Sequence, residues 1–308
     1  GIVWAYFHWG FAAWAIYGGI AACLAYSHHN LGKTLTFREA TVDILPKAAR
    51  RPAGVVIEML AIIATVLGLA TSFAFAAIQF SSGLGSLTSL KSDNTVWLVV
   101  IAVFAVFAAF SAFMGVDKGM KRISEVNTIL SVVLVLGVLL FGPTVYILSN
   151  LVQTSGSFIN NFLSMSFFTA PELTMTPIDN WQDSWNGWWT VFIWCWVIAF
   201  SPFVAGFIAR ISRGRTIREF VVGVTIVPSI IVMIWVGIIA SAGMFYDEKS
   251  GGAVTKAVGI DNAAGLFEML GMIPYIGTIL IIVATVLVGT YYVTSLDSGT
   301  YALAEFVN

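Results

Sequence analysis

The sequence has few charges, few cysteines and few prolines for its length. Of 308 residues only 10% are charged, the formal net charge is −1, and there are 2 cysteines and 8 prolines. Because a soluble domain is usually about 25% charged, this composition excludes a disordered chain, and the small net charge excludes a nucleic-acid binder. Cys23 and Cys195 each lie in an apolar run, which excludes a secreted disulfide scaffold.

Long apolar stretches are abundant instead. Hydrophobic residues make up 58% of the chain and the mean hydropathy is +0.90. A helix needs roughly 20 apolar residues to cross a bilayer, and seven stretches without Asp, Glu, Lys or Arg are long enough. They do not alternate as the strands of a β-barrel would. We therefore predict an all-α polytopic membrane protein in the lipid bilayer. Its seven predicted spans lie near 2–27, 54–80, 95–115, 127–150, 185–209, 220–245 and 273–296.

The basic residues predict the orientation of these spans. Connections 28–53, 116–126 and 210–219 carry five, three and four Lys or Arg residues, twelve of the 15 in the chain. The alternate connections carry only Lys91, Lys249 and Lys256. Since cytoplasmic loops of membrane proteins are enriched in Lys and Arg, we expect the first helix to start outside and run inward.

Two segments need separate interpretation. The chain begins at Gly1 at the edge of the first span, without an initiating Met, and ends at Asn308 shortly after Asp297. We expect it to be a fragment of a longer protein. Segment 155–168 alternates Phe and Leu with Ser and Asn at near-helical spacing, which predicts an amphipathic helix at the membrane interface.

Aromatic residues are concentrated on the first and fifth spans. At about 100° per residue, Trp9, Trp14 and Tyr17 fall within an arc of about 140° on the first span. This face is either an aromatic belt, a packing stripe or one wall of an aromatic binding site. Trp196 and Phe200 share one face of the fifth span, and Ser201-Pro202 then predicts a kink or an opening of that helix.

Such a site suits a quaternary ammonium group. This cation has no hydrogen-bond donor, and aromatic rings attract it through cation–π contacts without any acidic side chain. On the last span, Thr294 and Ser295 offer hydroxyl oxygens to a small cation, although such hydroxyls more often bond their own helix. No metal-ligand spacing, nucleophile elbow or phosphate-binding glycine loop is present, so we expect no enzyme activity and no cofactor.

Several motifs resemble one known family. Residues 201–220 read SPFVAGFIARISRGRTIREF, which is close to a signature of the betaine/choline/carnitine transporter (BCCT) family. Supporting stretches are FHW at 7–9, GVDKG at 115–119, NFLSMSF at 161–167 and VTS at 293–295. The likeness covers nearly the whole chain. It implies the inverted-repeat fold of sodium-coupled amino-acid transporters, of which this chain would hold spans four to ten of twelve.

The resemblance also implies roles for individual residues. Trp9, Trp14 and Tyr17 match the family's aromatic box, and Trp194, Trp196 and Phe200 match the aromatic run of the fifth span. Val197 stands where the family places a further box tryptophan. For a coupling sodium ion the matching residues are Tyr291, Thr294, Ser295, Thr65 and Phe203. Leu69 stands where a second threonine is expected.

The combined prediction is a secondary transporter of a quaternary ammonium solute such as betaine, choline or carnitine, located in the plasma (inner) membrane. The resemblance implies coupling to sodium and a homotrimer. Proton coupling or exchange of a related onium solute stays open as an alternative, and a channel is a further one. A channel would require polar or charged rings along several spans, which these spans lack.

Overall fold

A computed structural model describes residues 1–88, 90–114, 116–170 and 184–307, with only the helical backbone described for 110–114, 116–121, 301 and 304–307. All regular structure in these described segments is helical. The α-helices are α1 Ile2–Trp9, α2 Phe11–Ala25, α3 Phe37–Thr41, α4 Arg50–Leu87, α5 Asn94–Met114, α6 Val116–Phe141, α7 Thr144–Ser166, α8 Ile193–Ile211, α9 Ile217–Val221, α10 Val227–Lys249, α11 Ala253–Ile260, α12 Ala264–Gly271 and α13 Gly277–Val307.

Six helical stretches of the described chain are long and apolar enough to cross a membrane. They are Ile2–Asn30, Arg50–Leu87, Arg122–Phe141, Gly187–Ile211, Ile217–Lys249 and Gly277–Thr300. The apolar stretch Asn94–Ala109 of α5 is shorter. The chain is therefore a helical, polytopic membrane protein, as its composition predicted.

The first spanning stretch is broken near its N-terminal end. Gly10 separates α1 from α2 with φ −94° and ψ −126°, which is not a helical conformation. A Cβ atom at this position would collide with the carbonyl oxygen of Tyr6, so only glycine fits here. The sequence-based span 2–27 missed this joint.

The fourth predicted span ends earlier than expected. Helix α6 stops at Phe141 rather than near 150, and Gly142-Pro143 separates it from α7. Proline has no backbone N–H and restricts the residue before it, which ends the helix at this point. The predicted interfacial segment 155–168 therefore forms the second half of a longer helix, α7.

Several helices are longer than their predicted spans. Helix α4 continues to Leu87 and α13 to Val307, beyond the predicted ends near 80 and 296. Short π-helical turns at Tyr26–Asn30, Gly187–Phe192 and Val222–Ile226 lengthen three of the spanning stretches. Asp297 consequently lies inside a helix, ten residues before its end.

Two packed regions position the aromatic residues. Helix α13 lies against α4 and α6, with Leu134, Leu280 and Leu287 in the buried core. Helix α2 lies against α8, where Ala13, Tyr17 and other small or aromatic side chains are buried. Helices α4 and α8 also cross closely, because a Cβ atom on Gly68 would lie 2.9 Å from the Ala199 backbone. Small residues thus bring α2 and α4 close to α8.

Candidate functional site

The last residue of α1 faces an indole of α8. The ring centroids of Trp9 and Trp196 are 5.0 Å apart and the rings meet edge to face, at 83°. Trp196 Nε1 donates a hydrogen bond of 3.0 Å to Ser72 Oγ on α4, and its ring lies 5.4 Å from Phe75. Trp9 stays 37% exposed, so part of its ring surface is open to a ligand. Two predicted aromatic residues therefore lie together where α1, α4 and α8 meet.

A second predicted pair lies on α2. Trp14 and Tyr17 meet edge to face with centroids 5.8 Å apart. Tyr17 is buried in the α2–α8 cluster with Val197, whose side chain is 2% exposed. Trp14 also borders an apolar groove of about 610 Å³ beside Phe207. Trp14 and Tyr17 therefore form a second aromatic pair, packed in the α2–α8 cluster, and no ring contact joins this pair to Trp9 or Trp196 among the described residues.

A cavity of about 320 Å³ lies between α4, α8 and α13. Its lining combines aromatic rings with hydroxyl groups. The lining includes Ser72, Phe75, Phe200, Tyr291 and Ser295. Phe200, predicted for the substrate, and Tyr291 and Ser295, predicted for the cation, therefore border one cavity next to Trp196.

Trp194 lies elsewhere. Its ring is 5.8 Å from Phe7 and 5.2 Å from His8, on the side of α8 that faces α1 and α7. Trp194 and Trp196 are two residues apart, so their side chains leave the helix in directions about 200° apart. The structure does not bring Trp194 to the Trp9–Trp196 pair.

The predicted cation ligands are distributed over three helices, α4, α8 and α13. Thr294 Oγ1 donates to the carbonyl oxygens of Thr290 and Tyr291, at 3.1 and 3.2 Å. Fully buried Thr65 donates to the Ala61 carbonyl at 2.8 Å. Both hydroxyls bond their own helix and keep an oxygen lone pair that a cation can use.

The remaining cation candidates make side-chain contacts. The Tyr291 hydroxyl lies 3.0 Å from Ser131 Oγ, and buried Phe203 packs edge to face on Phe200 with centroids 5.2 Å apart. Leu69, one turn after Thr65, is buried against Gly299 of α13. In the parts of the chain that the structure describes, no group of three or more His, Cys, Asp or Glu side chains is placed to hold a metal ion.

Three residues that border the cavity could not be singled out from the sequence. Ser72, Phe75 and Gln79 border the cavity, but single polar or aromatic residues in the apolar run of α4 form no motif. Their role follows only from the crossing of α4 and α8. Asp297, which did stand out in the sequence, is buried, with 6% of its surface exposed.

These features define a multi-pass membrane protein with an aromatic, hydroxyl-lined site between its helices. A family model described as "BCCT, betaine/carnitine/choline family transporter" matches residues 1–308. The chain belongs to this family, whose members are transporters rather than enzymes, as the signature at 201–220 predicted.

Three curated relatives show the closeness of the match. The chain is 37% identical over 295 residues to a glycine betaine transporter of Acinetobacter baylyi, covering 96% of this chain and 43% of the relative. It is 36% identical over 298 residues to the glycine betaine transporter OpuD of Bacillus subtilis, covering 97% and 56%. It is 33% identical over 307 residues to the high-affinity choline transport protein of Escherichia coli K12, covering 100% and 44%. The chain spans about half the length of these relatives.

Proposed function

We propose that this chain forms part of a secondary transporter that carries a quaternary ammonium solute across the plasma membrane by alternating access. The observation that carries this proposal is the Trp9–Trp196 pair, which spans two helices and leaves Trp9 partly exposed. Indole faces attract a methylated cation by cation–π contact, which is worth about 2 kcal/mol or more when the site is dry. Trp14 and Tyr17 form a second aromatic pair on the following helix, and we assign them to the same solute.

The adjacent cavity accounts for the polar end of such a solute. Ser72, Tyr291 and Ser295 present hydroxyl groups, while Phe200 covers one side. A carboxylate or hydroxyl on the solute accepts or donates hydrogen bonds there, as in glycine betaine or choline. Val197, which stands where the resemblance places a further tryptophan, is buried in the α2–α8 cluster and does not border this cavity, so a related onium solute is an alternative to betaine without added space at this position.

The names of the relatives support this assignment. Two are glycine betaine transporters and one is a choline transport protein. Betaine and choline share a trimethylammonium group, which is the part of the molecule that an aromatic site recognises. Carnitine carries the same group and is the third solute to test.

Uptake into proteoliposomes tests the proposal. The full-length protein should accumulate at least one of radiolabelled glycine betaine, choline and carnitine, and Trp196→Leu should reduce this uptake at least fivefold. Trp97→Leu is the matched control, because Trp97 also bonds a serine through Nε1, at 2.8 Å, but lies on α5 away from the site. Failure of the unchanged protein to take up any of the three solutes would contradict the proposal.

For coupling we propose sodium, held by Tyr291, Thr294 and Ser295 on α13 with a second position near Thr65 and Phe203. Hydroxyl and carbonyl oxygens are the ligands that hard cations prefer. Uptake should then fall when potassium replaces sodium. Uptake that follows a proton gradient and ignores sodium would support the proton-coupled alternative, and single-channel conductance would support a channel.

We further propose that the full-length protein assembles as a homotrimer through α7. Its second half exposes Ile159 and Leu163, with exposed fractions of 75% and 71%. An apolar face of this kind is buried either by lipid or by another subunit. Light scattering in detergent should give a trimer that Leu163→Glu dissociates, whereas Ile260→Glu, at an exposed site on α11, should leave the mass unchanged. A monomer in both cases would contradict the assembly.

A further inference from the structure

His8, directly before Trp9 on α1, is a buried titratable group. It is the second-last residue of α1 and only 1% of its surface is exposed. Its Nδ1 lies 2.9 Å from the Trp4 carbonyl oxygen one turn earlier, so an N–H on Nδ1 donates to that carbonyl. This hydrogen bond fixes the orientation of the imidazole on the helix that ends in Trp9.

Aromatic rings from two elements enclose the imidazole. Trp4, on the same helix, stacks on the His8 ring with centroids 5.7 Å apart. Trp189 and Trp194, on the fifth span, have ring centroids 5.3 and 5.2 Å from that of His8. Trp189 belongs to the π-helical turn Gly187–Phe192 and Trp194 to α8. His8 is therefore the point at which the outer part of the fifth span contacts α1.

The His8–Trp194 contact lies next to the Trp9–Trp196 contact. His8 and Trp9 are adjacent on α1, and Trp194 and Trp196 are two residues apart on α8. The ring centroids of His8 and Trp194 are 5.2 Å apart, and those of Trp9 and Trp196 are 5.0 Å apart. Two contacts between the same two helices fix both their rotation and their sliding. A rotation by one residue, about 100°, would turn Trp9 away from Trp196.

The joint at Gly10 separates α1 from α2, so α1 is positioned by its own contacts: α7 and α10 hold it through Tyr6 and Phe7, and His8 adds the contact to the fifth span. Because α1 and α2 are separate helices joined by a non-helical glycine, the packing of α2 against α8 does not dictate the orientation of α1. Helix α1 has only eight residues, so its position depends on side-chain contacts rather than on its own length. His8 supplies such a contact directly next to Trp9.

We infer that His8 and Trp194 are positioning residues that hold Trp9 against Trp196. The inference rests on the proposed function and gives Trp194 a role different from substrate contact: it acts through His8. Removing either ring removes the contact directly beside Trp9, so Trp9 shifts relative to Trp196 and affinity for the onium group falls. The transport step after binding does not depend on this contact, so the effect appears in KM rather than in kcat.

A double-mutant cycle in the full-length protein tests the inference. Glycine betaine and choline are titrated against the unchanged protein, His8→Ala, Trp194→Ala and the double variant, with tryptophan fluorescence or calorimetry as the readout. Each single variant should raise Kd about tenfold. The double variant should fall well short of the roughly hundredfold loss that independent effects would give, because the two substitutions share the His8–Trp194 contact. A full hundredfold loss, at about the product of the two single effects, would overturn the coupling.

Two further variants separate positioning from general damage. His8→Phe keeps a ring in the aromatic enclosure and should stay within about threefold of the unchanged Kd. His28→Ala is the matched control, since His28 also bonds a carbonyl through Nδ1, that of Lys33 at 2.7 Å, but at the opposite end of the same span. It should leave Kd unchanged. If His8→Ala does not fold, His8→Asn replaces it: this variant keeps an N–H donor but removes the ring, and it should also raise Kd about tenfold.

A structural readout keeps the inference independent of the proposed function. Electron cryomicroscopy of the ligand-free His8→Ala protein should show Trp9 and Trp196 separated beyond ring contact, more than about 7 Å between centroids. An unchanged Trp9–Trp196 pair, or unchanged Kd values for folded His8→Ala, would overturn the inference alone. Absence of binding by the unchanged protein would instead overturn the proposed function, and the structure would still decide the role of His8.

Discussion

Trp196 is held on two sides by contacts of different chemistry. Its N–H bonds Ser72 of α4, and its ring meets that of Trp9 of α1 edge to face. An indole with its polar edge engaged in this way has one preferred orientation. The sequence singled out Trp9 and Trp196 by their spacing and by the family resemblance, and the structure brings the two rings into contact; their role in binding stays a prediction. The sequence did not predict Ser72, because a hydroxyl in an apolar helix usually bonds its own backbone.

Removing the Ser72 hydroxyl should weaken substrate binding. Ser72→Ala deprives Trp196 Nε1 of its acceptor, and a net hydrogen bond is worth about 1 kcal/mol, so Kd for glycine betaine or choline should rise about fivefold. The measurement is a fluorescence titration of the purified full-length protein. Ser86→Ala on the same helix removes a hydroxyl that bonds only the Ser82 carbonyl and should leave Kd unchanged. Equal Kd values for all three proteins would show that the bond does not orient the ring.

At the scale of helices, composition indicated the long apolar helical stretches but not where the helices break. Apolar length is a property of a whole segment and is visible in the sequence. The breaks at Gly10 and at Gly142-Pro143 depend on one or two residues, and glycine is common within spanning helices as well. The π-helical turn at 187–192 carries no distinct composition, so it was not predictable from the chain.

The crossing of α4 and α8 gives a stability prediction. Gly68→Ala would place a methyl group 2.9 Å from the Ala199 backbone, which cannot move without displacing α8. Overpacking of this kind costs about 1–3 kcal/mol, so the thermal midpoint in detergent should fall, and uptake should fall with it. Gly19→Ala on α2 is the control, because a Cβ there meets nothing within 4 Å. A midpoint for Gly68→Ala at or above that of the control would contradict the close crossing.

For the whole molecule, the distribution of basic residues predicts the orientation in the membrane. Connection 210–219 should face the cytoplasm, and Lys256 on α11 should face outward. In a protein whose Cys23 and Cys195 have been replaced by alanine, a membrane-impermeant maleimide should label Lys256→Cys in intact cells. Arg213→Cys should be labelled only after permeabilisation. The opposite labelling pattern would show that the chain has the reverse orientation in the membrane.

The central claim is that aromatic rings recognise the positive charge of the solute and not only its shape. Glycine betaine and tert-butylacetate have the same shape and the same carboxylate, but a carbon atom replaces the cationic nitrogen in the second. Competition of both compounds against radiolabelled glycine betaine on the full-length protein compares them directly. The account predicts that tert-butylacetate binds at least tenfold more weakly, since it loses the cation–π attraction of Trp9, Trp14, Tyr17 and Trp196. Equal affinities would contradict it.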